Sequence, residues 1–363
     1  MKNTGASFDM KAIAIFNNKG GVGKTTFCAN LATHLAQKHK KKVLIMDLDP
    51  QANITHYMLG EELASQVIAP YYDKNIKQEY STIVDAFSNY ELGESVINSD
   101  IKKITCTRFH SDLIAGNPFL ASYDDILSKK WNELSDPDNV SGMRITNWIY
   151  SILQKNKNDY DYILMDLSPS LGAINRTALL AADYFISPMS CDIFSLVAIK
   201  NIRQWFEKWI PFYNARLKDF KKEKDRVWSI IKNDVKDGIS VNEGFIGYTL
   251  QSYISRKDAN GNIRTTQSYQ NIINNFEPEI QSHLVAFKNS MISNNADLNL
   301  GEIPHMFGIL ALSQFVASPI ADLNAADGLA GSQYAQARNY MKAFDQISDR
   351  IVNNIEGKNN AIK

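Results

Sequence analysis

Cysteine is nearly absent: Cys28, Cys106 and Cys191 are the only three in 363 residues. They are widely spaced and odd in number, which excludes a disulfide framework and a zinc-ligand spacing and makes a reducing cytoplasm the expected location. Long apolar runs are missing as well. None approaches the roughly 20 residues that span a bilayer, and residues 1–7 carry no apolar signal core. Neither sign of charge dominates, with 39 Lys and Arg against 39 Asp and Glu. A chain that held DNA through its overall field would be basic, so the balance argues against strong constitutive nucleic-acid binding and leaves room only for a local patch. Repeats and low-complexity linkers are also lacking. The remaining composition, 44% hydrophobic and 21% charged, is that of an ordinary globular protein. A single domain over 1–363 is expected.

The informative stretch lies near the start. The apolar run Ala12-Ile13-Ala14-Ile15-Phe16 predicts a strand over 11–17, and Asn18-Lys19-Gly20-Gly21-Val22-Gly23-Lys24-Thr25-Thr26 follows at once. Gly23, Lys24 and Thr25 fit the end of the phosphate-loop pattern G-x-x-x-x-G-K-[ST], while Asn18 stands where its first glycine belongs. Glycines 20, 21 and 23 let the backbone turn its N–H groups inward as a nest for phosphate oxygens. A helix over 24–38 would point its positive end at the same phosphates. Lys24 would reach the β- and γ-phosphates of ATP, and the Thr25 hydroxyl would bind Mg²⁺. Lys19 is a second lysine, and one nucleotide needs only one.

Strand 43–48 ends in Asp47-Leu48-Asp49-Pro50-Gln51. Residues two apart on extended backbone point the same way, so both carboxylates can face the loop; a plain polar turn at Pro50 is the alternative. The apolar run 162–165 leads into Asp166-Leu167-Ser168-Pro169-Ser170-Leu171-Gly172, where a carboxylate after the strand is the usual second Mg²⁺-side group. Helices near 143–156 and over 173–182 and a strand over 184–188 continue the alternation. Repeating β–α units with strongly apolar strands predict an α/β fold, a mostly parallel sheet flanked by helices on both faces.

Taken together, these motifs resemble the deviant-Walker-A P-loop ATPases of the ParA/MinD family, nearest to ParA. Specific likeness covers roughly 1–60 and 160–200, with looser agreement over 227–254 and 303–350. The resemblance implies a Mg²⁺- and ATP-dependent homodimer with two nucleotides sandwiched at its interface, slow hydrolysis and a stimulating partner protein. It implies that residues Lys19, Gly20, Gly21, Val22, Gly23, Lys24, Thr25 and Thr26 bind the nucleotide, with Lys19 reaching the partner's phosphates. Thr25, Asp47 and Asp166 would serve the metal, and Asp49 would position the attacking water. Ser168 departs from the family, where many members have the first of two prolines.

The chain is longer than a minimal member, with atypical insertions near 61–145, 212–240 and 255–302. The run 216–226 holds six basic and three acidic residues; it suits nonspecific phosphate contacts or a solvated, ion-paired helix face. The run 38–42 reads as a helix C-terminus favoured by the macrodipole, less readily as a nucleic-acid patch. Because the phosphate loop begins so early, no operator-reading region is expected before it. The apolar spacing over 344–355 lacks a lysine-rich face and reads as core packing, with no membrane anchor. Asp258-Ala259-Asn260-Gly261-Asn262 reads as a hairpin turn. Two functions remain open: partition or positioning of DNA or other cargo, and a regulatory or assembly switch of a mobile-element or defence module acting through a protein effector.

Overall fold

The computed structural model describes residues 10–251, 256–257, 263–264, 267–305 and 307–357. Lys11–Ile15 (β1), Val43–Asp47 (β2) and Tyr162–Asp166 (β5) are five-residue runs buried along nearly their whole length. Apolar runs without alternation belong in the middle of a parallel sheet, covered on both faces. Ile104–Cys106 (β3), Ser111–Ile114 (β4), Tyr184–Ser190 (β6) and Phe245–Gln251 (β7) join them. Two short strands, Arg256–Lys257 (β8) and Ile263–Arg264 (β9), pair antiparallel with each other, and Asn299–Ile303 (β10) completes the main sheet. Its eight strands run β10-β7-β6-β1-β5-β2-β4-β3. Every neighbouring pair is parallel except β4 with β3 at the edge.

Helices cover both faces in two mutually packed groups. One group comprises Lys24–Gln37, Asn53–Ile68, Phe307–Phe315 and Gln333–Glu356. The other includes Tyr123–Glu133, Trp148–Asn156, Ala173–Ala181, Ile193–Glu223 and Gln267–His283. Phe27 meets Phe344 at 5.6 Å between ring centroids within the first group, whereas Phe16, just after β1, stacks on Phe206 of the second group at 6.4 Å. The expected α/β architecture is therefore the one observed.

Several details differ from the reading of the sequence. The first strand stops at Ile15, although Phe16 N–H still bonds the Ile186 carbonyl at 2.9 Å. The helix expected near 143–156 is two, Val140–Thr146 and Trp148–Asn156. Asn147 separates them because its side chain bonds the Met143 carbonyl (2.9 Å) and the Tyr213 hydroxyl (3.0 Å), competing with the helical ladder. Residues 61–145, where no motif is visible, supply β3, β4 and the helix Tyr123–Glu133.

The basic run 38–42 is a clasp on the C-terminal helix: Lys38 pairs with Asp349 at 2.7 Å and Lys41 with Glu356 at 3.0 Å. Phe344, Ile347, Ile351 and Ile355 on that helix are buried. Among the described residues no helix is long and apolar enough to cross a membrane. The three cysteines are buried and unbridged. The turn expected at 258–262 lies outside the described residues.

Candidate functional site

The sheet brings three loops to one edge. In the register of the parallel strands Asp166 sits opposite Ile15 on one side and Asp47 on the other. The glycine loop leaves β1 beside two carboxylates one strand apart, at the carboxyl ends where such sheets bind ligands.

Gly21 and Gly23 have φ of +73° and +76°, in the left-handed region that only glycine enters freely. Gly23 caps the helix Lys24–Gln37, and a β-carbon there would run into the Gln251 side chain at the end of β7. Asn17 pins the loop from inside: its amide donates to the Pro188 carbonyl at 2.8 Å and its oxygen accepts the Lys19 N–H at 2.9 Å. Lys24 is buried and donates to the Lys19 carbonyl at 3.2 Å, folding back across the nest. Burial lowers its pKa from the usual lysine value, while Asp166 and Asp49 pull it back up.

Lys19 points the other way. Its ammonium donates to the Ser190 hydroxyl at 2.6 Å and is paired with the Asp192 carboxylate. Asp192 also caps the helix Ile193–Glu223, accepting Phe194 N–H at 2.9 Å and Ser195 N–H at 3.1 Å. Burial disfavours its charge, yet the bonds from Lys19, Ser190 and Ser195 outweigh that and hold its carboxyl below the usual range. Ile193, Phe194 and Val197 stand exposed on the first turns of the same helix.

The aspartates differ sharply. Asp47 is fully buried; its Oδ2 accepts the Thr55 hydroxyl at 2.6 Å and the Thr55 N–H at 3.1 Å, and its Oδ1 accepts Asp49 N–H at 3.2 Å. Burial still pushes its carboxyl up to about 7, the Thr55 bonds offsetting part of the rise. Asp166 is equally buried, and neither oxygen has a hydrogen-bond partner among the described residues. Burial and then the neighbouring Asp47 hold its carboxyl well above the usual range, against the pull of Thr25 and Lys24. Asp49 accepts Gln51 N–H at 2.9 Å.

An unpartnered buried carboxylate beside a threonine hydroxyl and a glycine nest is a donor set that suits a hard cation held jointly with phosphate oxygens. The site residues expected from the sequence thus converge on one edge, with Lys19 turned aside. Ser190, Asp192, Thr55 and Gln251 escaped that reading. Asp192 carried a signal, as a helix-capping aspartate directly before an apolar stretch.

The family model of the AAA domain, AAA_31, matches residues 10–218. The chain belongs to this family. It is of the ParA/MinD P-loop ATPase type. A virulence plasmid ParA family protein of Chlamydia psittaci is 29% identical over 196 residues, 54% of this chain and 63% of that one. The chromosome-partitioning ATPase Soj of Treponema pallidum is 31% identical over 194 residues, 53% and 62% of the two chains. The chain therefore spans less than two thirds of the length of these curated relatives. A protein structure from Corynebacterium diphtheriae superposes with a TM-score of 0.72 at 24% identity, covering 95% of this chain and 99% of that one. At that identity the likeness shows the fold alone.

The protonation of the buried carboxylates sets a pH dependence. Between the usual 3.8 and about 7, folded Asp47 keeps a proton that the unfolded chain has lost, so its contribution to stability falls as pH rises through that window. Asp166 acts in the same direction. In EDTA, Asp166→Asn should therefore gain melting temperature on the wild type between about pH 5 and about pH 7.5. A difference that stays constant across that range would show that Asp166 carries no buried-charge penalty.

Proposed function

We propose that this chain binds Mg²⁺ and ATP at the loop 19–26, dimerises around the nucleotide and hydrolyses it slowly. The cycle would partition or position DNA or another large cargo with a stimulating partner protein. The observation that carries this reading is Asp166, a buried carboxylate without a hydrogen-bond partner, lying beneath a glycine nest beside Lys24 and Thr25. A carboxylate so placed takes up a proton unless a cation compensates its charge. Among the described residues no three His, Cys, Asp or Glu cluster as a metal centre on their own. A Mg²⁺ ion held partly by phosphate is the occupant such a site suits. The plasmid and chromosome-partitioning relatives support the cargo assignment.

Position in the site supports the following roles. The loop N–H groups of residues 20–24 bind phosphate oxygens, and Lys24 neutralises the β- and γ-phosphates. Thr25 and Asp166 hold the metal, with Asp47 behind them, and Thr26 completes the helix N-terminus. Asp49 orients the attacking water. Mg²⁺ supplies charge neutralisation on the phosphates when bound. Lys19 is the cation for a second nucleotide: leaving Ser190 and Asp192 frees it to reach a partner's phosphates, and a cation so placed is worth about 10³–10⁵ in rate in other phosphoryl-transfer systems. The exposed Ile193 and Phe194, directly after the Asp192 that pairs with this lysine, suit burial against a second copy. We further propose one domain over 1–363, with 61–145, 212–240 and 255–302 as family-atypical insertions.

One observation favours the second reading. The run 216–226 is largely neutralised within the chain: Arg216 pairs with Asp219, Lys221 with Asp237 and Lys224 with Asp138. An effector switch acting through a protein needs no DNA surface, so the two readings part on DNA affinity.

Lys24→Ala should lose Mg·ATP binding. Asp49→Ala should keep binding while turnover falls at least about tenfold, as for loss of a group that acts only on the reacting water. Wild-type ATP affinity in the first variant, or wild-type turnover in the second, would refute the assignments. Lys19→Ala should bind nucleotide as a monomer yet fail to shift to a dimer with ATP in light scattering; a normal shift would remove its role across the interface. Co-sedimentation with DNA at low and high salt decides the cargo. Binding that needs ATP and weakens with salt supports partition, whereas no binding at low salt supports the effector switch.

A further inference from the structure

The helix Asn53–Ile68 begins without a side-chain cap, because Ala52 (φ +52°) stands at the capping position. Asp47 fills that place from the neighbouring strand, taking the Thr55 N–H at 3.1 Å. A carboxylate at a helix N-terminus is favourable by itself, so a structural role alone would end there. The Thr55 hydroxyl goes further. Its oxygen accepts the Gly116 N–H at 2.7 Å and lies 2.6 Å from Asp47 Oδ2. A backbone N–H can only donate, so the hydroxyl accepts there and is free to donate its one proton to Asp47 when that carboxyl is ionised.

Gly116 closes the arrangement from the other side. It follows β4, and any β-carbon on it would overlap the Asp47 carboxylate. Asp47 is thus held against a backbone wall, with Oδ2 doubly bonded and Oδ1 tied to Asp49 N–H. Its strand neighbour Asp166 has no such hold. We infer that Thr55 is a positioning residue, which together with the Gly116 backbone fixes the Asp47 carboxylate beside Asp166 so that the pair presents a set geometry to Mg²⁺. The inference rests on the Mg·ATP reading. It also gives the end of β4, within the stretch 61–145, a place in the site.

The test is Mg²⁺ titration of a fluorescent ATP analogue bound to the purified full chain, compared with binding in EDTA. Thr55→Val keeps the volume and removes the hydroxyl. It should raise the Mg²⁺ concentration at half-saturation by about 10–100-fold, as loss of an outer-shell partner does, while affinity in EDTA stays unchanged. Thr55→Ser restores the hydroxyl and should restore the wild-type midpoint.

A folded Thr55→Val with the wild-type Mg²⁺ midpoint overturns the inference. So does equal weakening with and without Mg²⁺, which is what a mere helix cap would give. Should Thr55→Val fail to melt cooperatively, Gly116→Ala carries the test by displacing the same carboxylate, and an unshifted midpoint there is equally decisive. A wild type whose analogue binding ignores Mg²⁺ overturns the Mg·ATP reading and the inference with it.

Discussion

Two carboxylates are forced together by strand register, and the rest of the site is arranged around that constraint. Parallel pairing of β2 with β5 sets Asp47 opposite Asp166 at the strand ends, in a region that apolar strands keep dry. Like charges in low dielectric repel strongly, and burial already disfavours each. Asp47 is compensated by three hydrogen bonds, whereas neither Asp166 oxygen has a partner within hydrogen-bond geometry and only the weaker pull of Thr25 and Lys24 acts on it. Lys24 lies close enough to act on Asp166 electrostatically, but it is itself buried and held to the Lys19 carbonyl. The folded chain therefore holds a proton at one point that a cation can replace. Any ligand that replaces it binds the folded state alone and stabilises it by mass action.

The loop obeys a second constraint, that of backbone conformation. Positive φ at Gly21 and Gly23 turns the chain sharply enough for the helix Lys24–Gln37 to start within the site. The two lysines then diverge. Lys24 folds inward over the nest, whereas Lys19 is drawn to Ser190 and Asp192. Because Asp192 also caps the helix Ile193–Glu223, the charge on Lys19 and the start of that helix share one anion. Whatever draws Lys19 away leaves Asp192 with the Ser190 hydroxyl and its cap bonds, next in sequence to the exposed Ile193 and Phe194. Loop chemistry and an apolar surface are thereby joined through a single carboxylate.

The parts legible in the sequence were those encoded by local pattern. Continuous apolar runs at 12–16, 43–46 and 162–165 predicted buried parallel strands, and residues directly after them marked the strand ends. Glycine spacing predicted the nest. Contacts that depend on tertiary placement were not legible. Lys19 and Asp192 are 173 positions apart, and Thr55 and Gly116 are 61 apart. β4 reads Ser-Asp-Leu-Ile, too short and too polar to stand out, yet it pairs in parallel with β2. The helix break at Asn147 arises from side-chain bonds to elements far along the chain. The basic run 216–226 looked available because its partners Asp237 and Asp138 lie outside it.

The long stretch 61–145 shows how far composition can mislead. Polar and without motifs, it reads as an atypical insertion, but the structure ties it to the site at two places. Gly116 braces Thr55 and Asp47 on the β2 side. On the β5 side Asp124 accepts the Ile174 N–H at 2.9 Å, capping the helix that follows the loop 168–172, and presses against Gly172. Seven residues on, Trp131 lies 4.2 Å from the Arg176 guanidinium, a cation–π contact that grips the same helix. One stretch thus braces both the first carboxylate and the loop after the second. Through Asp124 the helix Tyr123–Glu133 contacts the loop after Asp166 directly. A surface on this helix is therefore mechanically nearer to the Asp166 loop than its distance in sequence suggests.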